Sequence, residues 1–233
     1  MDYSRNQSYF TGDSAGGCSG CLGIILVIGS FGGFANGDTG AALGALAVGL
    51  ALLGMSYSAS SGSKTISDGE YDAEVARYAD DLSRTRALQK LGVDQTEVNE
   101  IAPIILGGYE FENADKVKQG KDKRWRSNVY KAIMLFFSRN ELHCYTARFK
   151  TTEDNILSEA TDVYFYQDIV SASTASVSDK VKVDDDKEII IHSEAFKLTT
   201  KGGTSITVNL LNSRQGQESV NAMRALLREK KQA

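Results

Sequence analysis

Residues 129–150 read VYKAIMLFFSRNELHCYTARFK, and this stretch decides the class of the C-terminal half. Two runs rich in β-branched and aromatic side chains, 129–137 and 141–150, are separated by the polar tripeptide SRN. Runs of this length and composition are typical of strands, and so short a polar separation is typical of an antiparallel hairpin. The stretch therefore predicts two adjacent antiparallel strands.

The residues downstream continue the strand pattern up to a final helix. Further short strands are predicted for ATDVYFYQDIVSAST (160–174), KVKV (180–183), EIIIHS (188–193), AFKLTT (195–200) and TSITVNL (204–210), with DDD and KGG as turns. Residues 216–231 then place Val220, Met223 and either Leu226 or Leu227 on one helical face. We therefore expect residues 108–233 to form an antiparallel β-barrel or sandwich with a C-terminal helix.

The segment before this domain carries helix signals. Ser67 and Glu70 have the spacing of a capping box, and apolar residues recur at helical intervals until Gly92. A second start at Asp94 predicts a short helix that ends near Pro103. We expect residues 70–107 to form an amphipathic helical connector and residues 58–69, with the sequence SASSGSK at their start, to form a flexible joint.

Residues 21–55 read CLGIILVIGSFGGFANGDTGAALGALAVGLALLGM and contain one charged residue, Asp38. As helices, residues 16–35 and 40–57 would extend roughly 30 and 27 Å, the thickness of a hydrocarbon layer. A cleavable signal peptide fits poorly, because the preceding residues 1–15 are polar and nearly neutral. The sequence predicts a transmembrane hairpin over 16–57, with a buried helical hairpin as the alternative.

The basic residues predict the orientation of this hairpin, and its small residues predict association. Lys and Arg flank the hairpin but are absent from its turn, which predicts the inner membrane with both termini cytoplasmic. Small residues four apart allow close contact between helices in lipid. A homo-oligomer is expected, and a tetramer is plausible. In it the hairpins form either a pore or only a compact anchor. The predicted pore and packing residues are Gly29, Gly33, Gly37, Asp38, Gly40, Gly44 and Gly49.

Catalytic motifs are missing from the sequence. His143 and His192 lie in predicted strands, outside any metal or nucleophile motif, and Cys144 follows His143 on the opposite strand face. Cys18 and Cys21 have no second pair to complete a zinc site. We expect no enzyme activity, no catalytic residues, no metal and no cofactor.

The clearest candidate site is the basic segment KVKQGKDKRWR at 116–126. Its cations would attract phosphates, and the only tryptophan of the chain offers a surface on which a base can stack. The predicted ligand is an oligonucleotide, a nucleotide or an anionic lipid headgroup; the alternative is a solvated loop with its tryptophan in the core. The predicted ligand-binding residues are Lys116, Lys118, Lys121, Lys123, Arg124, Trp125 and Arg126.

Three stretches carry a resemblance: RWRSNVYKAIMLFFSRNELHCYTARF (124–149), TDVYFYQDI (161–169) and AFKLTTKGGTSITV (195–208). They resemble the cytosolic part of bacterial membrane proteins with two transmembrane helices and a domain similar to pleckstrin-homology folds. The likeness covers about residues 86–230 and implies fold more than activity.

The combination of hairpin and basic segment also resembles effectors of bacterial anti-phage systems, among them the channel subunits of the Hailong system. That resemblance implies an ion channel controlled by DNA oligomers. The expected function is a homo-oligomeric pore gated by ligand binding to the cytosolic domain. The alternative is a membrane-tethered binding module that recruits a protein or an anionic lipid without conducting ions.

Overall fold

A computed structural model describes residues 1–11, 66–98, 101–184, 187–211 and 213–232. The chain divides into two compact units, residues 1–3 with 68–233, and residues 4–67. The first helix, α1, runs over Tyr3–Thr11. The predicted hairpin at 16–57 lies outside the described residues, and so do all seven glycine and aspartate positions predicted for it.

Nine described strands form three antiparallel sheets. The first sheet has the order β1-β4-β5-β6, with β1 at Ile104–Glu110, β4 at Val129–Phe137, β5 at Glu141–Lys150 and β6 at Ile156–Phe165. A small hairpin joins β2, Val117–Gln119, to β3, Trp125–Ser127. The third sheet has the order β7-β8-β9, with β7 at Ile169–Asp184, β8 at Lys187–Thr200 and β9 at Ser205–Asn209.

The predicted hairpin over 129–150 is confirmed. β4 pairs with β5 from Val129 opposite Lys150 to Phe137 opposite Leu142. Nearly every residue of β4 is buried, because both faces of the first sheet are covered. The predicted β-rich domain is thus present, and the final helix is present as α4, Ser213–Gln232.

One face of the first sheet packs on the third sheet and on α4. Apolar side chains from β4 and β5 meet those of β8, β9 and the inner stripe of α4. This core includes Ile133, Leu135, Phe137, Leu142, Cys144, Phe196, Leu198, Val208, Val220, Met223 and Leu227. The helix therefore closes the space between the two larger sheets.

The other face of the first sheet is covered by a helix that includes one wider turn. The helix runs as α2 over Asp68–Leu82, a π-helical turn over Ser83–Ala87 and α3 over Leu88–Leu91. The ring of Tyr71 stacks on that of Tyr109, with centroids 5.8 Å apart. Gly92 ends the helix at a φ of 68°, a left-handed conformation that glycine adopts without strain.

The short helix predicted from Asp94 to about Pro103 is wrong, since the described residues 94–98 and 101–103 form a turn and irregular structure. Asp94 N–H does donate to Glu97 Oε2 at 2.8 Å, and Glu97 N–H donates to Asp94 O at 2.9 Å. These bonds close a turn, but Ile104 already belongs to β1 and pairs with Leu135. Pairing with a distant strand has overridden the local helix signal.

The predicted membrane fold class is contradicted. Within the described ranges, no helix is long and apolar enough to cross a membrane. The two longest described helices, α2 and α4, carry charged side chains on their outer faces and bury only one stripe. The interpretations as a transmembrane hairpin, as an ion channel and as an inner-membrane protein with cytoplasmic termini are corrected accordingly. What the structure describes is mostly antiparallel β-sheet with helices.

Candidate ligand site

The basic segment forms the β2–β3 hairpin. Its turn is closed by Gly120 N–H, which donates to Arg124 O at 2.9 Å, and by Lys123 N–H, which donates to Gly120 O at 3.0 Å. Lys123 has a φ of 66°, the left-handed residue that often completes such a turn. The turn projects the side chains of Lys121 and Lys123 into solvent.

Arg126 fixes this hairpin to α2. Its guanidinium is 1% exposed and donates two hydrogen bonds of 2.7 Å to Asp72 and two, of 2.8 and 2.9 Å, to Asp122. Hydrogen bonds from Arg126 hold the pKa of the Asp122 carboxyl well below its usual range. Two carboxylates already neutralise Arg126, so it is a structural residue and is closed to an anionic ligand.

The tip of the hairpin is docked on the first turn of α2. Asp68 Oδ2 accepts the Lys121 N–H at 2.7 Å. Gly120 is buried beneath this contact, and a Cβ atom there would lie 2.5 Å from Arg126 Nη1 and 2.7 Å from Asp68 Oδ2. Glycine is therefore required by close approach at this position.

A cavity of about 470 Å³ lies between the hairpin and the end of the third sheet. Its hairpin wall carries Lys123, Arg124 and Trp125, and the opposite wall is formed by β8 and the residues that follow β9. The complete lining consists of Tyr109, Phe111, Lys123, Arg124, Trp125, Arg126, Ile191, His192, Ser193, Glu194, Asn209, Leu210 and Leu211. A volume of this size accommodates a small ligand.

One residue of the lining has an unusual polar atom. Ser193 Oγ is buried and has no hydrogen-bond partner. A buried hydroxyl without a partner costs free energy, about 1 to 3 kcal/mol. Ser193 Oγ is closed to solvent, so the residue forms part of the cavity wall without presenting its hydroxyl to a ligand.

The charges of the cavity are uneven. Lys123 is exposed on one side, and Arg124 Nε lies 2.9 Å from Asp122 Oδ2 in an exposed ion pair that solvent screens. Glu194 lies on the other side and accepts hydrogen bonds only. The hairpin side suits a phosphate, and the β8 side suits a donor such as an exocyclic amine.

The seven predicted ligand-binding residues divide into three groups. Lys123, Arg124 and Trp125 line the cavity together, and Arg126 reaches it but is occupied by its two carboxylates. Lys121 lies at the exposed tip, and Lys116 and Lys118 lie on the β2 side of the hairpin, outside the lining.

Several residues of the cavity had no sequence signal. His192, Ser193 and Glu194 belong to β8, and Asn209 ends β9, so long-range pairing alone brings them to the hairpin. His192 Nδ1 lies 2.9 Å from Ser178 Oγ on the neighbouring strand. Nothing local in IIIHSE distinguishes these residues from any other exposed strand.

A second cavity, of about 490 Å³, lies where the π-helical turn faces the start of β1. Its walls are mainly apolar, with Leu88, Pro103 and Phe136 among them, and its one described cation, Arg84, is paired with Asp80 at 2.8 Å. It therefore offers little to an anion.

Cys144, the candidate nucleophile, lies in the core. Burial raises the pKa of the Cys144 thiol to about 12, so the thiolate that would act as a nucleophile is suppressed. Over the described residues, no group of three or more His, Cys, Asp or Glu side chains is arranged to hold a metal ion.

Comparison with known proteins gives no family for this chain. No protein-family model matches the sequence. No curated protein matches it either. The resemblances to pleckstrin-homology folds and to anti-phage effectors therefore stay predictions.

Proposed function

We propose that residues 68–232 form a ligand-binding module whose cavity between the β2–β3 hairpin and β8 takes a nucleotide or a short single-stranded oligonucleotide. The proposal depends on one observation. The only tryptophan of the chain and two basic side chains form one wall of a cavity whose opposite wall carries His192 and Glu194 of β8.

The chemistry of the two walls favours this ligand class. A base could stack on Trp125, because every base has a π face, and Lys123 and Arg124 on the same wall would supply positive charge to its phosphate. Glu194 on the opposite wall would accept hydrogen bonds from the polar edge of the base. A plain inorganic anion would use only the hairpin wall.

The ligand can be tested with the chain's own fluorescence. Trp125 is the only tryptophan, so its emission reports directly on the cavity. The full chain is titrated with a short deoxythymidine oligonucleotide, with a nucleoside monophosphate and with the matching nucleoside. Quenching by the first two, and much weaker quenching by the nucleoside, is expected.

Two variants distinguish binding at this cavity from nonspecific attraction between the chain and an anion. The double variant K123E/R124E should weaken binding by at least about tenfold, since both phosphate contacts are reversed. K197E introduces the same kind of charge reversal at an exposed position of β8 outside the lining and should bind like the parent chain. With two phosphate contacts, log K should fall with log salt at a slope of about −1.4.

Other results would refute the proposal. If neither nucleotide nor oligonucleotide changes the emission at physiological salt, the cavity is not their site. If vesicles containing an anionic lipid quench Trp125 and the nucleic acids do not, the ligand is a lipid headgroup, the other phosphate source.

A further inference from the structure

Among the described residues that line the cavity between the β2–β3 hairpin and β8, Glu194 is the only acidic one. The two walls meet at one end, where Arg124 Nη1 donates to Leu211 O at 3.4 Å. Leu210 N–H, one residue earlier, donates to Glu194 O at 2.8 Å. Glu194 therefore lies on the β8 wall, close to the point where the hairpin contacts that wall.

The carboxylate of Glu194 is accessible. The residue is partly exposed, and its carboxylate oxygens, unlike Ser193 Oγ beside them, are not closed to solvent. Within the described part of the chain, this carboxylate takes part in no ion pair and accepts no hydrogen bond. Both of its oxygens can therefore accept hydrogen bonds from a bound molecule.

The neighbouring polar groups of this wall are partly engaged. Asn209 Nδ2 donates to Tyr109 O at 3.0 Å. His192 Nδ1 lies 2.9 Å from Ser178 Oγ, which leaves the second ring nitrogen of His192 as one further polar group. A single ring nitrogen offers one donor or one acceptor, whereas the carboxylate of Glu194 offers two acceptor oxygens side by side. Glu194 therefore determines which pattern of donors this wall accepts.

We propose that Glu194 selects guanine among the bases of a bound nucleotide, an inference that rests on the function proposed above. Guanine carries two adjacent donors on its Watson–Crick edge, N1–H and the 2-amino group, and these match the two oxygens of one carboxylate. Adenine and cytosine offer one amine beside a ring nitrogen that accepts, and uracil and thymine offer one N–H between two carbonyls. Each of these bases would place a lone pair against an anionic oxygen, which costs binding free energy.

The opposite wall of the cavity is compatible with this base. Lys123 and Arg124 would supply positive charge to the phosphate, and the base would stack on Trp125. In a purine nucleotide the Watson–Crick edge lies on the side of the base away from the sugar, so a phosphate at the hairpin would direct that edge toward Glu194. A thymine oligonucleotide keeps the stacking and phosphate contacts but lacks the two adjacent donors, so it would bind through the hairpin wall alone.

Calorimetric titration of the full chain with GMP, IMP, AMP, CMP and UMP tests the base preference. IMP is the sharpest comparison, because its base lacks only the 2-amino group of guanine. GMP should bind at least about tenfold more tightly than IMP, since IMP loses a hydrogen bond to a charged acceptor. The preference over AMP, CMP and UMP should be at least as large, because these bases also meet the carboxylate with an acceptor.

Glu194→Gln should remove the preference. The amide offers one acceptor and one donor, so GMP should bind at least about tenfold more weakly, and AMP at least as tightly as to the parent chain. The ratio of the GMP and IMP affinities should fall toward one. Glu188→Gln, at an exposed position of β8 outside the lining, is the matched control and should keep the affinities of the parent. Far-ultraviolet circular dichroism checks that both variants are folded.

The possible results distinguish the guanine preference from the proposed function. If none of the nucleotides binds, the proposed function is wrong and the guanine preference is wrong with it. If all of them bind with equal affinity, the cavity remains a nucleotide site and only the guanine preference is wrong. A preference for GMP that Glu194→Gln leaves unchanged would overturn the role of Glu194.

Discussion

The guanidinium of Arg126 and the carboxylate of Asp72 meet through two parallel hydrogen bonds, Nε to Oδ1 and Nη2 to Oδ2, each 2.7 Å long. This pair joins β3 to a helix that lies 54 positions earlier in the chain. Asp122 takes further donors of the same guanidinium. The position of the ligand cavity therefore depends on an ion cluster that no ligand needs to contact.

Arg126→Met should destabilise the fold strongly. It leaves the carboxylates of Asp72 and Asp122 close together without their cation, and breaking a buried pair by removing one partner costs roughly 3 to 5 kcal/mol. Urea denaturation followed by far-ultraviolet circular dichroism measures the free energy of unfolding. Arg84→Ala breaks a solvent-exposed pair on the same helix and should change that free energy little. If the two substitutions lower the free energy of unfolding equally, burial of the Arg126 ion pair adds nothing to its contribution to stability.

Two glycine substitutions should have opposite signs. Gly120→Ala places a Cβ among the atoms of Asp68, Asp122 and Arg126 and should cost about 1 to 2 kcal/mol as the cluster is pushed apart. Gly69→Ala enters open space in α2 and should stabilise by about 0.5 kcal/mol, because alanine favours the helix. Thermal melts of both variants check the signs. If Gly120→Ala leaves the melting temperature unchanged, the hairpin does not pack closely against α2 at this position.

Sequence reasoning found the strands where local pattern and pairing agree. The 129–150 hairpin was predicted with the observed limits because runs of β-branched and aromatic residues and a short polar turn are both local signals. EIIIHS and AFKLTT were predicted as two strands but form one, β8, since its continuous partner β7 spans Ser193 and Glu194. Ile104 was assigned to the helical connector over 70–107 because its pairing with Leu135 is invisible to a local reading.

The candidate site shows the same division. Trp125, Lys123 and Arg124 could be identified from a basic segment with one tryptophan, and they do line a cavity. Arg126 looked equivalent to its neighbours, because nothing in the sequence connects it to Asp72. Ser193 gave no signal, since an unpartnered hydroxyl is defined only by what surrounds it.

Glu159 should make the free energy of unfolding depend on pH in the acidic range. Hydrogen bonds from Arg86 lower the pKa of Glu159 from its ordinary 4.5 to about 2. A carboxyl with a depressed pKa in the folded state stabilises above its unfolded pKa, and that stabilisation is lost as the pH falls through the folded value. The difference in unfolding free energy between the parent and Glu159→Gln should therefore be constant above about pH 5 and shrink between 4.5 and 2.

Urea denaturation at a series of pH values measures this difference. Glu229→Gln, at an exposed position of α4, serves as the control and should follow the parent at every pH. A gap between the parent and Glu159→Gln that is as large at pH 2 as at neutral pH would mean that the Arg86 contact does not act through the charge of Glu159.

Cys144 should be nearly inert while the chain is folded. It lies in the core between the first sheet and α4, and burial raises its thiol pKa to about 12. Because the thiolate is the reactive species, labelling by a disulfide reagent at pH 8 should be slower than in denaturant by a hundredfold or more, roughly. The measurement uses the C18S/C21S background so that only Cys144 is followed. Rapid labelling without denaturant would show that this part of the core opens readily, and Cys144 could then no longer be treated as a packing residue.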